Sequence, residues 1–155
     1  MSIDIFVKID GITGESQDES HRDEIEVTHW TWAMSQTSTM LSGSGGGAGK
    51  ATVEDLVFFH KVDRASPNLM TYCLTGKHVR KAVLTMRKSG GNPLDYLRIT
   101  MNDVIVTGVQ METDVEQIKL SFGRVKQEYI LQNTLGGSAG VVTGIFDVKE
   151  NTLGR

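Results

Sequence analysis

The sequence predicts a mainly β domain, an antiparallel barrel or sandwich with a single helix. Apolar and polar residues alternate over short runs, beginning with Ile3, Ile5, Val7 and Ile9. Roughly seven or eight such runs follow one another at short spacing, separated by glycine-rich or polar turns. Only one segment carries helix-capping residues. Closely spaced strands with few helices are typical of barrels and sandwiches.

The composition is that of a globular domain. The chain has 155 residues, of which 39% are hydrophobic and 23% are charged, and we predict one domain spanning residues 1–155. The formal net charge of -3, with both signs interspersed, argues against a nucleic-acid partner. Cys73 is the single cysteine, which excludes an intrachain disulfide and disfavours a zinc cluster.

The N-terminus does not look like a targeting segment. Its first lysine is Lys8, and Asp4 interrupts the apolar run, whereas a secretory signal has a basic start and a continuous apolar core. No run is apolar for long enough to cross a membrane. We therefore expect a chain that folds in the cytoplasm without membrane insertion.

Two changes in the phase of the alternation predict β-bulges. The first separates Ile25 and Val27 from Trp30 and Trp32, and a bulge there would redirect the strand as barrel closure requires. The second falls at Gly123 in the last long strand.

The longest connection joins two apolar runs, Val27–Met34 and Val53–Phe59, which we interpret as paired strands. A glycine-rich loop, about Ser38–Lys50, separates them and is much longer than a hairpin needs. Met40 and Leu41 lie within it, and apolar residues on such an arm indicate docking onto a partner. We predict that this loop is part of a subunit interface formed by Met40, Leu41, Ser42, Gly45, Gly46, Gly47 and Lys50.

The single helix is predicted over about Pro67–Thr75. Ser66 is a suitable N-cap, Pro67 suits the first helical position, and Gly76 suits the position just beyond the end. Its apolar face would contain Leu69, Met70 and Cys73. Further strands are predicted at Val79–Lys88, Leu94–Met101, Val104–Met111, Val115–Val125 and Gly144–Glu150.

Two apparent catalytic motifs fail on their own requirements. The segment Gly43–Ala51 lacks the first glycine and the final hydroxyl of a P-loop, and a strand rather than a helix follows it. The segment Gly136–Gly140 matches G-x-S-x-G, but β-branched residues follow and the last histidine is His78, upstream of the serine. We predict that the protein is not an enzyme and has no catalytic residues.

The remaining polar and aromatic groups favour structural roles. A metal site could be built from Asp18, Glu19, His21, Asp23 and Glu24, but one histidine among loop carboxylates is more typical of a solvated turn. Trp30 and Trp32 share a strand face and could stack on a ligand, although such pairs more often lie in a core or an interface. We predict no metal and no cofactor.

Four groups of residues carry a resemblance to a known family. They are Gly14-Glu15-Ser16 with Asp18, His21, Glu24–Val27 and Trp30; Trp32 with Met34-Ser35-Gln36; Pro67-Asn68-Leu69 with Cys73 and Gly76-Lys77-His78; and Gly144–Asn151. In these residues the chain resembles the haemolysin-coregulated protein (Hcp) family of type VI secretion, over nearly its whole length. Ala33 stands where relatives often have glycine.

The resemblance implies a β-barrel flanked by a helix, and a structural rather than enzymatic role. Six-membered rings would stack into the inner tube of the secretion machine, which is ejected when the sheath contracts. The ring lumen would bind and protect effector proteins. The implied partners are further copies of the chain, effectors, and sheath and spike components. The implied location is the cytoplasm during assembly, followed by export outside or into target cells without a signal peptide.

Two alternatives stay open at this point. A phage-like tail-tube protein would do the same physical work in another setting. A cytoplasmic barrel that binds a small ligand would use Trp30 and Trp32 to line its pocket, and its tryptophan fluorescence would respond to that ligand.

Overall fold

The computed structural model describes residues 2–38, 50–90, 92–133, 135 and 137–153. Within them the chain forms eleven strands and one helix, which confirms the mainly β prediction. The elements are β1 (Ile3–Ile9), β2 (Ile25–Val27), β3 (His29–Thr31), β4 (Met34–Gln36), β5 (Ala51–Val53), β6 (Leu56–Lys61), α1 (Ser66–Thr75), β7 (His78–Lys88), β8 (Leu94–Glu112), β9 (Val115–Gln132), β10 (Ser138–Asp147) and β11 (Thr152–Leu153).

The strand pairs are antiparallel and run in a ring. The main sheet has the order β11-β10-β9-β8-β7-β1-β2, and β6 joins β9 to β3. Because β2 and β3 are neighbours in the sequence, the stretch 25–31 pairs with β1 at its start and with β6 at its end. Hydrogen-bonded pairing therefore proceeds from β1 through β7, β8, β9 and β6 and returns through β3 and β2. The result is a barrel-like sheet.

The change of phase between Val27 and Trp30 is present, but it marks a switch of partner strand rather than the predicted β-bulge, because neither pairing contains a register shift. Ile25 and Val27 are buried, whereas Thr28 and His29 are both exposed and Trp30 is half-buried. The Thr28 amide donates to the Phe59 carbonyl at 2.9 Å. At this point the stretch leaves β1 and begins to pair with β6, which is how a short segment serves two sides of the barrel.

The prediction of a β-bulge at Gly123 is wrong, although a change of phase does occur there. Burial does change phase there, since Phe122 is followed by Val125 as the next buried apolar residue. However, Val104 opposes Phe122 and Asn102 opposes Arg124, so the register is the same on both sides of Gly123. The opposite strand changes phase as well, at Asp103, whose φ is 54°. Both strands turn together, and no extra residue is inserted.

The later strands are longer than predicted. The two strands expected at Leu94–Met101 and Val104–Met111 are one strand, β8, because the phase change at Asp103 does not interrupt pairing with β9. Strand β9 continues past Val125 to Gln132. Strand β10 begins at Ser138, six residues earlier than the predicted Gly144–Glu150.

The helix is confirmed, with corrections to its cap and its face. Gly76 adopts a left-handed conformation, φ 64°, and its amide donates to the Cys73 carbonyl at 3.3 Å, as a C-terminal glycine should. Ala65 rather than Ser66 precedes the helix, and the Ser66 hydroxyl is buried inside the protein. Leu69 is fully buried, but Met70 is 52% exposed and does not belong to the packed face.

The interior of the barrel is filled by side chains. Buried strand residues from every wall form one apolar cluster, whose largest fully buried members include Phe58, Leu84, Ile99, Met101 and Leu120. Each such side chain contributes about 1.5–3 kcal/mol on transfer from water. This packing fixes the positions of the strands and therefore of the side chains on their outer faces.

Candidate assembly surface

A two-stranded arm extends from the end of β3. Strands β4 and β5 pair in register, Met34 with Val53 and Gln36 with Ala51. Two contacts tie the base of the arm: the Trp32 indole donates to the Glu54 carbonyl at 2.9 Å, and the Glu54 amide donates to the Ala33 carbonyl at 3.0 Å. These contacts orient the arm relative to β6. The pairing predicted between the runs Val27–Met34 and Val53–Phe59 is confirmed, since Trp30 opposes Phe58 and Met34 opposes Val53.

An apolar groove lies between the arm and the wall formed by β9, β10 and β11. Its volume is about 730 Å³. Its apolar lining consists of Trp32, Met34, Val53, Val125, Tyr129, Val142, Ile145, Phe146 and Leu153. Met34 is 55% exposed, Val142 61% and Leu153 81%. Apolar side chains that are grouped and exposed to this extent mark a surface for association.

Strand β10 carries an open edge beside this groove. Residues 138–144 are all exposed. One edge of β10 pairs with β9, and within the described residues the other edge pairs with β11 only at Phe146 and Asp147. Free amides and carbonyls on a strand edge can accept another strand.

Most of the predicted interface lies outside the described residues. Met40, Leu41, Ser42, Gly45, Gly46 and Gly47 all belong to residues 39–49. Lys50 is described and exposed, immediately before β5. Since a strand follows Lys50, the helix that a P-loop requires does not form there. Ser138 likewise begins a strand, so the serine motif does not form a nucleophile elbow.

The N-terminal polar cluster is used for structure. His21 is 6% exposed and stacks on Phe6 with ring centroids 4.4 Å apart. Its Nδ1 lies 3.0 Å from a Glu24 oxygen and its Nε2 lies 3.1 Å from an Asp95 oxygen. Burial raises the pKa of Glu24, against the opposing effect of His21. The described residues contain no group of three or more His, Cys, Asp or Glu side chains arranged for a metal ion.

Arg87 fixes the same loop from the barrel wall. Its guanidinium donates two hydrogen bonds to the Asp18 carboxylate, at 2.6 and 2.7 Å, and a third to Asp4 at 3.1 Å. The hydrogen bond from Arg87 lowers the pKa of Asp18 to about 2, and Asp18 in turn raises the pKa of Arg87. Asp18 is therefore a structural carboxylate.

The two tryptophans have different environments. Trp30 donates from its indole nitrogen to the Met86 sulfur at 3.2 Å and packs against the core. Trp32 packs edge-on against Phe122, with centroids 5.9 Å apart, and its outer side lines the groove. They do not form one pocket.

The barrel half of the groove was missed in the sequence analysis. Tyr129 lies beyond the predicted end of β9, and Val142 lies before the predicted start of β10. In the structure these two residues are direct cross-strand partners. The β-branched run Val141–Thr143 was the available signal, because it follows a glycine run and favours a strand. The exposure that makes Tyr129 and Val142 part of an assembly surface is not encoded in such a pattern.

Comparisons with known proteins agree with this architecture. A family model described as "Type VI secretion system effector, Hcp" matches residues 6–129. Protein hcp1 of Pseudomonas aeruginosa is 42% identical over 159 residues, covering 97% of this chain and 98% of that protein. The crystal structure of Hcp1 from Salmonella typhimurium has a TM-score of 0.79 at 46% identity and covers 99% of both chains. A type VI secretion system effector from Yersinia pestis has a TM-score of 0.77 at 41% identity, covering 94% of this chain and 100% of that one.

The fold and the exposed groove define a structural β protein, and the matches give its family. The chain belongs to the Hcp family of type VI secretion tube proteins, which are secreted structural proteins rather than enzymes. In the part of the chain that is described, no helix has the length and apolar character needed to cross a membrane.

Proposed function

We propose that copies of this chain assemble into six-membered rings, and that the rings stack into the inner tube ejected by a type VI secretion system. The observation that carries this proposal is the apolar groove, because apolar side chains that are grouped and exposed mark a surface for association with a partner. Membership of the Hcp family supports the same role.

The distribution of apolar surface suits a ring. A closed ring needs two different patches on each subunit, one of which meets the other patch of the next subunit. The groove is one patch. A second group of exposed apolar residues, Met111 and Val115, lies at the opposite end of β9, where β8 turns into that strand. Two separate patches on one rigid barrel permit head-to-tail contacts.

We further propose that the ring lumen holds effector proteins before export, in the cytoplasm, and that sheath and spike components contact the stacked rings. The description of the matching family as type VI effectors supports a route that carries proteins outward. The glycine-rich arm of residues 38–50 would then contact the neighbouring copy, through Met40, Leu41 and the adjacent residues.

A small-ligand barrel is less well supported. Such a protein needs an internal pocket, and here Phe58, Ile99 and Leu120 occupy the interior with no exposure to solvent. Trp30 and Trp32 also have separate environments.

The test uses two valines that are neighbours on β10. Val142 lines the groove, whereas Val141 is 51% exposed and points to the other face of the strand. We expect six-fold rings with an open centre, some of them stacked, from the wild-type protein and from Val141→Asp in negative-stain electron microscopy. We expect Val142→Asp to stay folded, because the site is exposed, but to remain monomeric in analytical ultracentrifugation. Normal rings from Val142→Asp would contradict the use of the groove, and featureless particles from the wild type would contradict the tube.

A further inference from the structure

A fully buried polar cluster joins β6, β9 and the start of α1. His60 and Glu116 have no solvent exposure, and Ser66 is 5% exposed. His60 Nε2 lies 2.8 Å from Glu116 Oε1, and the Ser66 hydroxyl donates to the same oxygen at 2.9 Å. Asp63, in the connection between β6 and α1, places a carboxylate oxygen 3.7 Å from His60 Nδ1.

The hydrogen bonds indicate which atoms of the cluster donate a proton and which accept one. The Asp63 amide donates to the Ser66 oxygen at 3.1 Å, so the hydroxyl proton is free to go to Glu116. The Glu116 oxygen thus accepts from Ser66, and His60 Nε2 is its second donor. A neutral His60 with its proton on Nε2 would turn the bare lone pair of Nδ1 toward the Asp63 carboxylate. A protonated imidazole instead presents an N–H to each carboxylate.

The surroundings of His60 favour its positively charged form. Glu116 Oε2 and His60 Nδ1 have no hydrogen-bond partner within the described residues. Two carboxylates on either side of a neutral ring would repel each other in a medium that screens charge poorly. The imidazolium compensates both of them.

We infer that His60, Asp63, Ser66 and Glu116 form a protonation-dependent latch that holds the start of α1 against the barrel wall. With His60 charged, the helix entry is bound through Asp63 and Ser66 to strands β6 and β9. Loss of the proton leaves the buried Glu116 carboxylate and the partly buried Asp63 carboxylate without a counter-ion and loosens the segment 63–66. None of these four residues lines the apolar groove.

The charged groups that face His60 are few. Glu116 contributes from β9 and Asp63 from the connection before α1, while α1 itself supplies the neutral hydroxyl of Ser66. On β6 the Phe58 ring lies 5.8 Å away. His29 of β3 contacts Phe59, whose side chain alternates to the other face of the strand from His60.

The pH dependence follows from the two carboxylates. Burial lowers the pKa of His60, but Asp63 and then Glu116 outweigh it, and the net pKa is raised above the usual 6.5. Below pH 6.5 the group is protonated in both the folded and the unfolded state, and the latch is fully closed. As the pH rises through the raised pKa of His60, this contribution to stability is lost.

The first test is a nitrogen-15 NMR titration of the histidines in the full-length wild-type protein. We expect the midpoint of the His60 titration to lie above 6.5, with both ring nitrogens protonated below that pH. Each unit by which the pKa is raised corresponds to about a tenfold change in the folding equilibrium constant. A midpoint at or below 6.5 would overturn the proposal.

The second test compares amide protection at Ser66 and Leu69 between pH 6 and 9, corrected for intrinsic exchange rates. We expect protection at these amides to fall with pH by the factor that the NMR titration implies. Asp63→Asn should lower the pKa of His60 and shift the loss of protection to lower pH. Should His60→Gln fold, its profile should be flat, whereas His78→Gln, at an exposed site, should match the wild type. Unchanged profiles in Asp63→Asn would show a purely structural cluster.

Discussion

Arg87 is one of the residues that connect the N-terminal loop to the barrel. Its guanidinium is shared between Asp18 and Asp4, and its charge lies 5.1 Å from the centre of the Phe6 ring. Phe6 in turn stacks on His21. Arg87 therefore helps to order a loop that has no regular strand or helix of its own, and Arg64 does so as well, since its Nε donates to the Gly14 carbonyl at 2.6 Å.

Acid sensitivity should reveal the Asp18–Arg87 pair. The folded pKa of Asp18, about 2, is below its ordinary 3.8, so the pair stabilises the fold above about pH 3.8 and is lost as the pH falls toward 2. We expect Asp18→Asn to be less stable than the wild type at pH 7 and to lose less stability between pH 4 and 2, measured by denaturant unfolding. Glu19→Gln, at an exposed site in the same loop, should follow the wild type. A parallel acid profile for Asp18→Asn would contradict this role.

Single residues also show the limits of prediction from sequence. The charged and polar identities of Asp18, His21 and Glu24 were evident, and a structural role was favoured. The distant partners of Asp18 and His21, which are Arg87 and Asp95, lie about seventy residues away in the sequence, and only the β1–β7–β8 pairing brings them near. Contacts of that separation leave no local pattern.

At the scale of elements, the end of α1 follows from one glycine. Gly76 is left-handed, and the amides of Gly76 and Lys77 close the last turn on the Cys73 and Tyr72 carbonyls. A Cβ at this position would meet no atom within 4 Å, so a substitution would act through the backbone alone. The prediction of this helix end succeeded because it depends on local chemistry.

The same glycine offers a clean stability test. We expect Gly76→Ala to lower the free energy of unfolding by about 1 kcal/mol, because an alanine is strained in the left-handed region. Gly76→Asn should lose less, since asparagine tolerates that conformation better. Urea unfolding of both variants measures the difference. Equal stability of Gly76→Ala and the wild type would mean that the helix end shifts without cost.

Strand boundaries were harder to predict than the helix end. A change of alternation looks the same in sequence whether a strand stops or merely turns. At Asp103 and Gly123 both paired strands turn together and pairing continues, so two predicted strands were one. The extension of β9 to Gln132 depends on pairing with β10, and the sequence of β9 alone does not show that pairing.

For the whole molecule, the ring of strand pairs explains why the arm protrudes. The stretch 25–31 completes the barrel-like sheet, and the chain then continues outward through β4 and returns through β5. The arm is therefore an addition to a sheet that is already complete. Its length and its apolar residues were evident in the sequence, whereas the groove beneath it required the packing of β9, β10 and β11.

This arrangement leads to a prediction about the glycine-rich segment. Deletion of Ser42–Gly49 leaves six residues, 37–41 and Lys50, to connect β4 with β5, which is sufficient for a hairpin loop. We expect the barrel to stay folded, with unchanged circular dichroism and a melting temperature within a few degrees of the wild type. Stacking of rings into tubes should be impaired, because the segment would no longer reach the neighbouring copy.

Electron microscopy of the deletion variant at several protein concentrations gives the answer. Single rings without tubes are the expected product. Met70→Ser, which alters an exposed apolar residue on α1, is the control and should leave tubes intact. The double variant Met40→Ser, Leu41→Ser keeps the full length of the segment and removes only the apolar side chains. It therefore distinguishes an effect of segment length from an effect of apolar contact. Normal tubes from the deletion variant would exclude the segment 42–49 from stacking and leave the apolar groove as the surface on which assembly depends.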